Sequence, residues 1–426
     1  MKPGDAVERP LLRRRRFLQS TALAALGCTL TLRAQATRRR VIVAGGGFAG
    51  AACALALRRL NPLLDVALID PDPSYVTGPM SNAALVGWRS MQSITFNRTG
   101  LARAGVQVTQ ARVAAIDAPA RTIRLAGGAT LAYDRLVVAP GIRFRWDTPQ
   151  GYDEAASLRM PHAWQAGAQT ELLAAQLRAM DEGGIVAISV PAGLMRCPPG
   201  PYERASVIAA WLKRHKPRSK VLIFDANNHF PRQDAFTAAW QENYPGMVEW
   251  FASTEGGTVE RVDVEKSTLH TSRGAQRVAV ANIIPAQAPG QLAADAGLAS
   301  GHGWCPVEAD TFESTQAQNV HVIGDACIAG TMPKSASAAH SQALQCARAI
   351  VAQLQGEAVP PAQFDSVCYS LLAEDRALAI HGRFAAEDGE IRSQPLPQVA
   401  RALSAQEEAR LATAWYKDIV ADSFGT

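Results

Sequence analysis

The stretch RCPPGPYERA, residues 196–205, puts Cys197 ahead of Pro198 and Pro199 and six residues before Glu203. Proline fixes its own φ and stiffens the chain around it, so this thiol sits on an elbow that cannot relax. Glu203 falls on the first turns of a helix that opens there. A carboxyl group at that place can accept a proton from a neighbouring acid or simply favour the helix N-terminus. Seven cysteines occur in the 426 residues. Apart from Cys28 they are Cys53, Cys197, Cys305, Cys327, Cys346 and Cys368. Their spacing holds no C-x-x-C, no haem-attachment motif and no zinc pattern. Stapling disulfide and buried thiols both stay open for Cys197 and Cys368, and spacing alone does not pair them. Cys53, Cys305, Cys327 and Cys346 read as structural packers.

A second chemistry is written near residue 45. An apolar strand at residues 41–44 runs into Gly45, Gly47 and Gly50, a G-x-G-x-x-G, and an alanine-rich helix follows. The next strand, DVALID, ends at Asp70. Strand, glycine turn, helix, strand and acid in this order predict a dinucleotide site. The glycines admit the pyrophosphate, the helix N-terminus attracts it, and Asp70 accepts from ribose hydroxyls.

Two later strands close on the same site. YDRLVVAPGI ends at Pro140-Gly141, and NVHVIGDACIAG ends at Gly324-Asp325. An acid at the end of a strand can hold a ribityl chain. The two stretches resemble those of two-dinucleotide-domain flavoproteins, which implies FAD. The segment between them repeats the plan, with strands at residues 185–190 and 221–225 and a helix over 202–215. Relatives that bind NAD here have glycines in the intervening loop. This loop has Met195, Cys197 and prolines, so the second domain is expected to keep the fold and drop the nucleotide.

Residues 1–36 hold the whole formal charge of +5, with seven basic and two acidic residues, and the rest of the chain is formally neutral. A neutral remainder gives no basic patch for nucleic acid. RRRRFLQS, an apolar run at residues 21–32 and AQA at 34–36 predict an export leader resembling the twin-arginine type, hence a periplasmic protein folded around its cofactor before export. The run is too short to span a bilayer. A lipoprotein anchor on Cys28 fits poorly after ALG. An oxidising compartment permits disulfides.

The motifs RCPPGPYERA, MPHAW, GWCPV, TFES, HVIGDA, MPKS, CYSLLA and AWYKDIVADSFG resemble the flavoprotein subunit of flavocytochrome c sulfide dehydrogenase, over nearly all of the chain after the leader. The resemblance implies an α/β fold of two Rossmann-like domains with doubly wound sheets and a smaller α+β C-terminal domain. The expected boundaries are 1–36 for the leader, 37–155 and 286–355 for the FAD domain, 156–285 for the second Rossmann-like domain, and 356–426 for the C-terminal interface domain. It implies that Cys197 and Cys368 form a redox-active disulfide beside the flavin, with Glu203 as its acid–base group. It places Trp415 near the flavin and Lys334 near the pyrimidine end of the ring. Sulfide is the implied substrate. A c-type cytochrome is the implied partner in a heterodimer, since this chain carries no haem motif. One departure stands out. The family's flavin-linked cysteine lies in TCYLSN, whereas this chain reads TGPMSN with Gly78 at that position. Glycine forms no thioether, so noncovalent FAD is expected. Two other functions stay open: a sulfide:quinone oxidoreductase, and a non-catalytic flavin-binding accessory protein of a sulfur-oxidising complex. No metal site and no membrane span are expected.

Overall fold

The computed structural model describes residues 38–146, 148–301, 303–396 and 402–426. The leader and Cys28 lie outside the described residues. From Arg39 onward the chain forms one unit.

It opens with β1 (Arg40–Ala44), α1 (Phe48–Leu60), β2 (Asp65–Asp70), β3 (Gln107–Gln110) and β4 (Arg135–Val138). A second run follows: β5 (Ile185–Val190), α2 (Gly200–His215), β6 (Lys220–Asp225), α3 (Gln233–Asn243), β7 (Val248–Phe251) and β8 (Val280–Ile283). The chain returns through β9 (Cys305–Pro306), β10 (Val320–Val322), β11 (Cys327–Ile328) and α4 (Ala336–Gln355). It finishes with β12 (Gln363–Ala373), β13 (Arg376–Glu387), β14 (Glu390–Gln394) and α5 (Ala405–Phe424).

The first sheet has the order β10-β4-β1-β2-β3 and is parallel throughout. Val41, Ile42 and Val43 are fully buried, as expected of a parallel strand covered on both faces. Parallel strands end on one edge of their sheet. Gly45, Asp70, Pro140-Gly141 and Gly324-Asp325 therefore converge, although they are far apart in sequence. Chain order reverses between β1 and β4, and a crevice opens at such a switch point. Small side chains let α1 and α4 pack closely: Ala51, Ala54, Ala338, Ala343 and Ala347 have no exposed surface.

The second sheet, β7-β6-β5-β8, is also parallel. Its β5–α2 connection carries Cys197. The structure starts α2 at Gly200, two residues before the sequence-based estimate, with Pro201 in the first turn. Proline is tolerated there because the first helical N–H groups have no intrahelical acceptor. Trp146, Tyr152, Ala156 and Met160 already pack with Ala187, Leu222 and Phe224 of this second half. The strand Gln287–Pro289 pairs with Ile142–Phe144 and carries the chain back towards the first sheet.

The C-terminal part is an antiparallel sheet, β12-β13-β14, covered by α5. The α5 N-terminus is closed by a Ser404–Glu407 capping box, which satisfies two otherwise unpaired N–H groups. Both α2 and α4 pack against β12, so Cys368 of β12 lies where the halves meet.

Candidate active site

Cys197 has a left-handed backbone, φ 54°, a conformation that costs roughly 1–2 kcal/mol for a residue with a Cβ. Two bonds hold it there. Its N–H donates to Lys334 O at 2.7 Å, and Gly200 N–H donates to Cys197 O at 2.8 Å. The first of these ties the second half of the fold to the segment that leads into α4. Cys368 sits opposite Ile380 in the β12–β13 ladder. Both cysteines are half-buried free thiols. Burial raises the Cys197 thiol, and the nearby Cys368 and then Glu203 raise it further. Burial also raises the Cys368 thiol, while a hydrogen bond with the Ser335 side chain holds that rise back. Ser335 caps α4, accepting from Ala338 N–H, so Cys368 stands by a helix N-terminus, which favours a thiolate. The structure thus brings together the two thiols that spacing could not pair.

Glu203 lies on the first turn of α2 and is 8% exposed. Burial pushes its carboxyl up to about 7, against hydrogen bonds from the Leu371 backbone and the Asn82 side chain. It is therefore poised to exchange a proton near neutrality. Beside it Arg204 is 3% exposed. Arg204 donates to Asn82 Oδ1, His162 O and Asn282 Oδ1, each at 3.0 Å, and to Ala163 O at 2.6 Å. Burial lowers its pKa to about 10. This buried guanidinium binds α2 to the loop at residues 160–164 and to β8, and sequence reading did not single it out.

At the glycine turn, a Cβ on Gly45 would collide with the Ala139 carbonyl, and one on Gly50 with the Gly45 carbonyl. The turn is as tight as a pyrophosphate cradle must be. Gly47 precedes α1 with no side-chain cap, leaving N–H groups for an anion. Asp70 accepts from Gly46 N–H and from Asp72 N–H. Arg98 is the second residue that sequence reading missed. It is 7% exposed, its Nη2 stands 3.6 Å from Asp70 Oδ1, and Nε and Nη1 have no partner among the described residues. A Cβ on Gly46 would lie 2.6 Å from Arg98 Nη2. A buried guanidinium with two unmatched donors against this turn fits the phosphates of a dinucleotide.

Gly324 N–H donates to Gln342 Oε1 at 2.8 Å, and Asp325 follows at the end of β10. Lys334 Nζ donates to Asp325 O and Cys327 O, both at 2.8 Å, and lies 3.9 Å from the Trp304 ring centre. Two of its three donors therefore clamp the Asp325 turn. Gly141 has φ 64° and its carbonyl accepts from Gly290 N–H at 2.8 Å. Trp415 sits 5.8 Å, centre to centre, from Tyr369, the residue after Cys368. Gly78 has open space where a side chain would be, with nothing within 4 Å of a Cβ.

The equivalent of Asp70 in the second half is Asp225, at the end of β6. It is fully buried and accepts from Tyr202 OH, Asn227 N–H, Asn227 Nδ2 and Trp250 Nε1. The Tyr202 and Phe230 rings stack at 3.6 Å beside it. Its acceptors are spent inside the protein, in keeping with a domain that keeps the fold without a nucleotide. The four remaining cysteines also meet in pairs. Cys305 and Cys327 are register partners of β9 and β11, and Cys346 shares a hydrogen bond with Cys53 between α1 and α4.

Sheet order, glycine turn and strand-end acids together define a two-dinucleotide-domain flavoprotein of the disulfide oxidoreductase type. Residues 39–169 match the pyridine nucleotide-disulphide oxidoreductase family. Residues 170–285 match the central part of the flavoprotein chain of sulfide dehydrogenase [flavocytochrome c], and residues 360–424 match the flavin-binding part of flavocytochrome c sulphide dehydrogenase. A flavoprotein chain of sulfide dehydrogenase [flavocytochrome c] from Chlorobaculum thiosulfatiphilum is 51% identical over 45 residues, 11% of this chain and 94% of that one. The chain belongs to the flavocytochrome c sulfide dehydrogenase flavoprotein family. Sulfide-quinone reductase from Aquifex aeolicus is 27% identical over 185 residues, 43% of this chain and 41% of that protein, so the match spans less than half of that relative. The solved sulfide:quinone oxidoreductase of Aquifex aeolicus shares the fold, with a TM-score of 0.73 and 18% identity over 91% of this chain and 92% of that one.

Proposed function

We propose that the protein is an FAD-dependent sulfide dehydrogenase working through a Cys197–Cys368 disulfide, with a c-type cytochrome as electron acceptor. The juxtaposition of Cys197, Cys368 and Glu203 beside the Asp325–Lys334 segment carries this reading. In the oxidised protein, hydrosulfide attacks Cys197 Sγ. A sulfur–sulfur bond forms to the substrate, the bond to Cys368 breaks, and Cys368 leaves as a thiolate with its electron pair. The Ser335 hydroxyl and the α4 N-terminus favour that thiolate. Glu203 takes up the proton that hydrogen sulfide or a thiol must lose. FAD, when bound, supplies the two-electron acceptor. Loss of two electrons and one proton from the persulfide–thiolate pair restores the disulfide and releases one zero-valent sulfur atom, which further hydrosulfide carries off as polysulfide.

Asp70, Arg98 and the glycine turn would hold the adenosine diphosphate portion of FAD, and Asp325 the ribityl chain, with Trp415 and Lys334 near the ring. Gly78 leaves this cofactor noncovalent. Acid precipitation of the holoprotein is expected to leave the flavin in the supernatant, and yellow pelleted protein would contradict that. The leader supports export to the periplasm by the twin-arginine route, where a cytochrome subunit would complete a heterodimer. Among the described residues no helix is long and apolar enough to cross a membrane. The fold shared with sulfide:quinone oxidoreductase makes quinone the competing acceptor. Steady-state sulfide oxidation with cytochrome c, and separately with a soluble quinone, tests the choice. The proposal expects cytochrome reduction to be faster, and turnover with quinone alone would transfer the protein to the quinone-reducing class.

A further inference from the structure

Arg196 adjoins the reactive thiol, yet the disulfide chemistry does not use it. Its N–H donates to Gln287 Oε1 at 2.8 Å, its Nη2 donates to Trp164 O, and Nη1 stands 3.9 Å from Asp325 Oδ2. About a quarter of its side chain, 26%, reaches solvent. Two N–H donors beside it have no acceptor among the described residues, Gln287 Nε2 and Trp164 Nε1. Both residues are 8% exposed. A buried donor left unmatched is destabilising, and the Gln287 amide is not free to turn away. Gln287 is held through Oε1 and pairs with Phe144 in its strand. The Trp164 backbone N–H donates to His162 Nδ1 at 2.9 Å, and the Arg204 guanidinium lies 5.0 Å from the indole centre. The indole edge and the thiol converge above Gly200, where a Cβ would lie 2.7 Å from Trp164 Cη2 and 3.1 Å from Cys197 Sγ. An accessible cation, two unmatched buried donors and the sulfur thus share one neighbourhood.

We propose that Arg196, Gln287 and Trp164 form an anion subsite that receives hydrosulfide and then holds the terminal sulfur of the persulfide on Cys197. The inference rests on the sulfide-oxidising reading above and names how its substrate is held. The charges select a small monoanion. One guanidinium, partly engaged by Asp325, faces a site that also holds the Glu203 carboxyl, and this balance disfavours a dianion such as thiosulfate. Donor N–H groups placed beside Cys197 keep the anion within reach of Sγ and add most to binding when the substrate is charged.

The test is anaerobic reduction of the FAD-loaded protein by sulfide in rapid-mixing absorbance, for the wild type, Gln287→Met and Trp164→Phe. Gln287→Met is close in size and adds no charge, and it removes the free donor together with the oxygen that Arg196 N–H uses. Trp164→Phe keeps an aromatic ring and removes the indole N–H. The half-saturating sulfide concentration is expected to rise about tenfold or more in each, with the limiting rate changed by less than about threefold. The flavin spectrum and the FAD dissociation constant stay unchanged, and thiosulfate does not compete. An unchanged half-saturating concentration in both variants overturns the subsite. A shifted flavin spectrum or weakened FAD binding in both overturns it too, because the donors then serve the ring. A wild type that sulfide leaves oxidised refutes the underlying sulfide-oxidising reading itself.

Discussion

Glu203 shows how one buried carboxyl couples this site to pH. Its pKa is raised from 4.5 to about 7 by burial. Between those values the folded protein holds a proton that the unfolded chain releases, so stability is greatest below pH 4.5 and falls as pH climbs to about 7. A shift of this size is worth about 3 kcal/mol. Glu203→Gln, which carries no charge at any pH, is expected to be more stable than the wild type at pH 8 and to show no such gain at pH 4.5. Urea unfolding at both values measures this, and an equal difference at the two would contradict the assigned burial. The motif RCPPGPYERA made Cys197 and Glu203 visible in sequence, because a cysteine before two prolines is itself unusual. Arg98, Arg204 and Gln287 were not visible. Their types are ordinary surface types, and only the tertiary packing that strips water from them sets them apart.

At the scale of elements, the N-terminus of α4 does most of the arranging. Ser335 caps the helix and bonds the Cys368 thiol, Lys334 O holds Cys197 N–H, and Lys334 Nζ holds the Asp325 turn. Ser335→Ala is expected to raise the Cys368 thiol pKa and slow its alkylation in the reduced protein severalfold at neutral pH, with about 1 kcal/mol lost from the cap. Ser335→Thr, which keeps the hydroxyl, should restore both. Alkylation rates followed by mass spectrometry decide this, and an unchanged rate in Ser335→Ala would remove the hydroxyl from the site. The strand–turn–helix units were legible because parallel strands read as short apolar runs closed by glycine or acid. The cysteine pairings were not legible. Cys305 meets Cys327 through the register of two short strands, and Cys53 meets Cys346 through the packing of two helices, and neither relation leaves a trace in spacing.

For the whole molecule, one nucleotide-type fold carries the glycine turn at residues 45–50 and its repeat carries Cys197 at the corresponding strand–helix connection. The exchange follows from local replacements: Asp225 spends its oxygens on Tyr202, Asn227 and Trp250, and the β5–α2 loop trades glycines for the Cys197 elbow. NADH is accordingly expected to leave the flavin oxidised. The proposed reaction requires the two thiols to act as one redox unit on the flavin. Anaerobic titration of the FAD-loaded protein with sulfide, following flavin absorbance, tests this most directly. Bleaching at about one to two sulfides per flavin is expected in the wild type, with Cys197→Ser and Cys368→Ser remaining yellow while still binding FAD. Bleaching of either variant at the wild-type rate would contradict it.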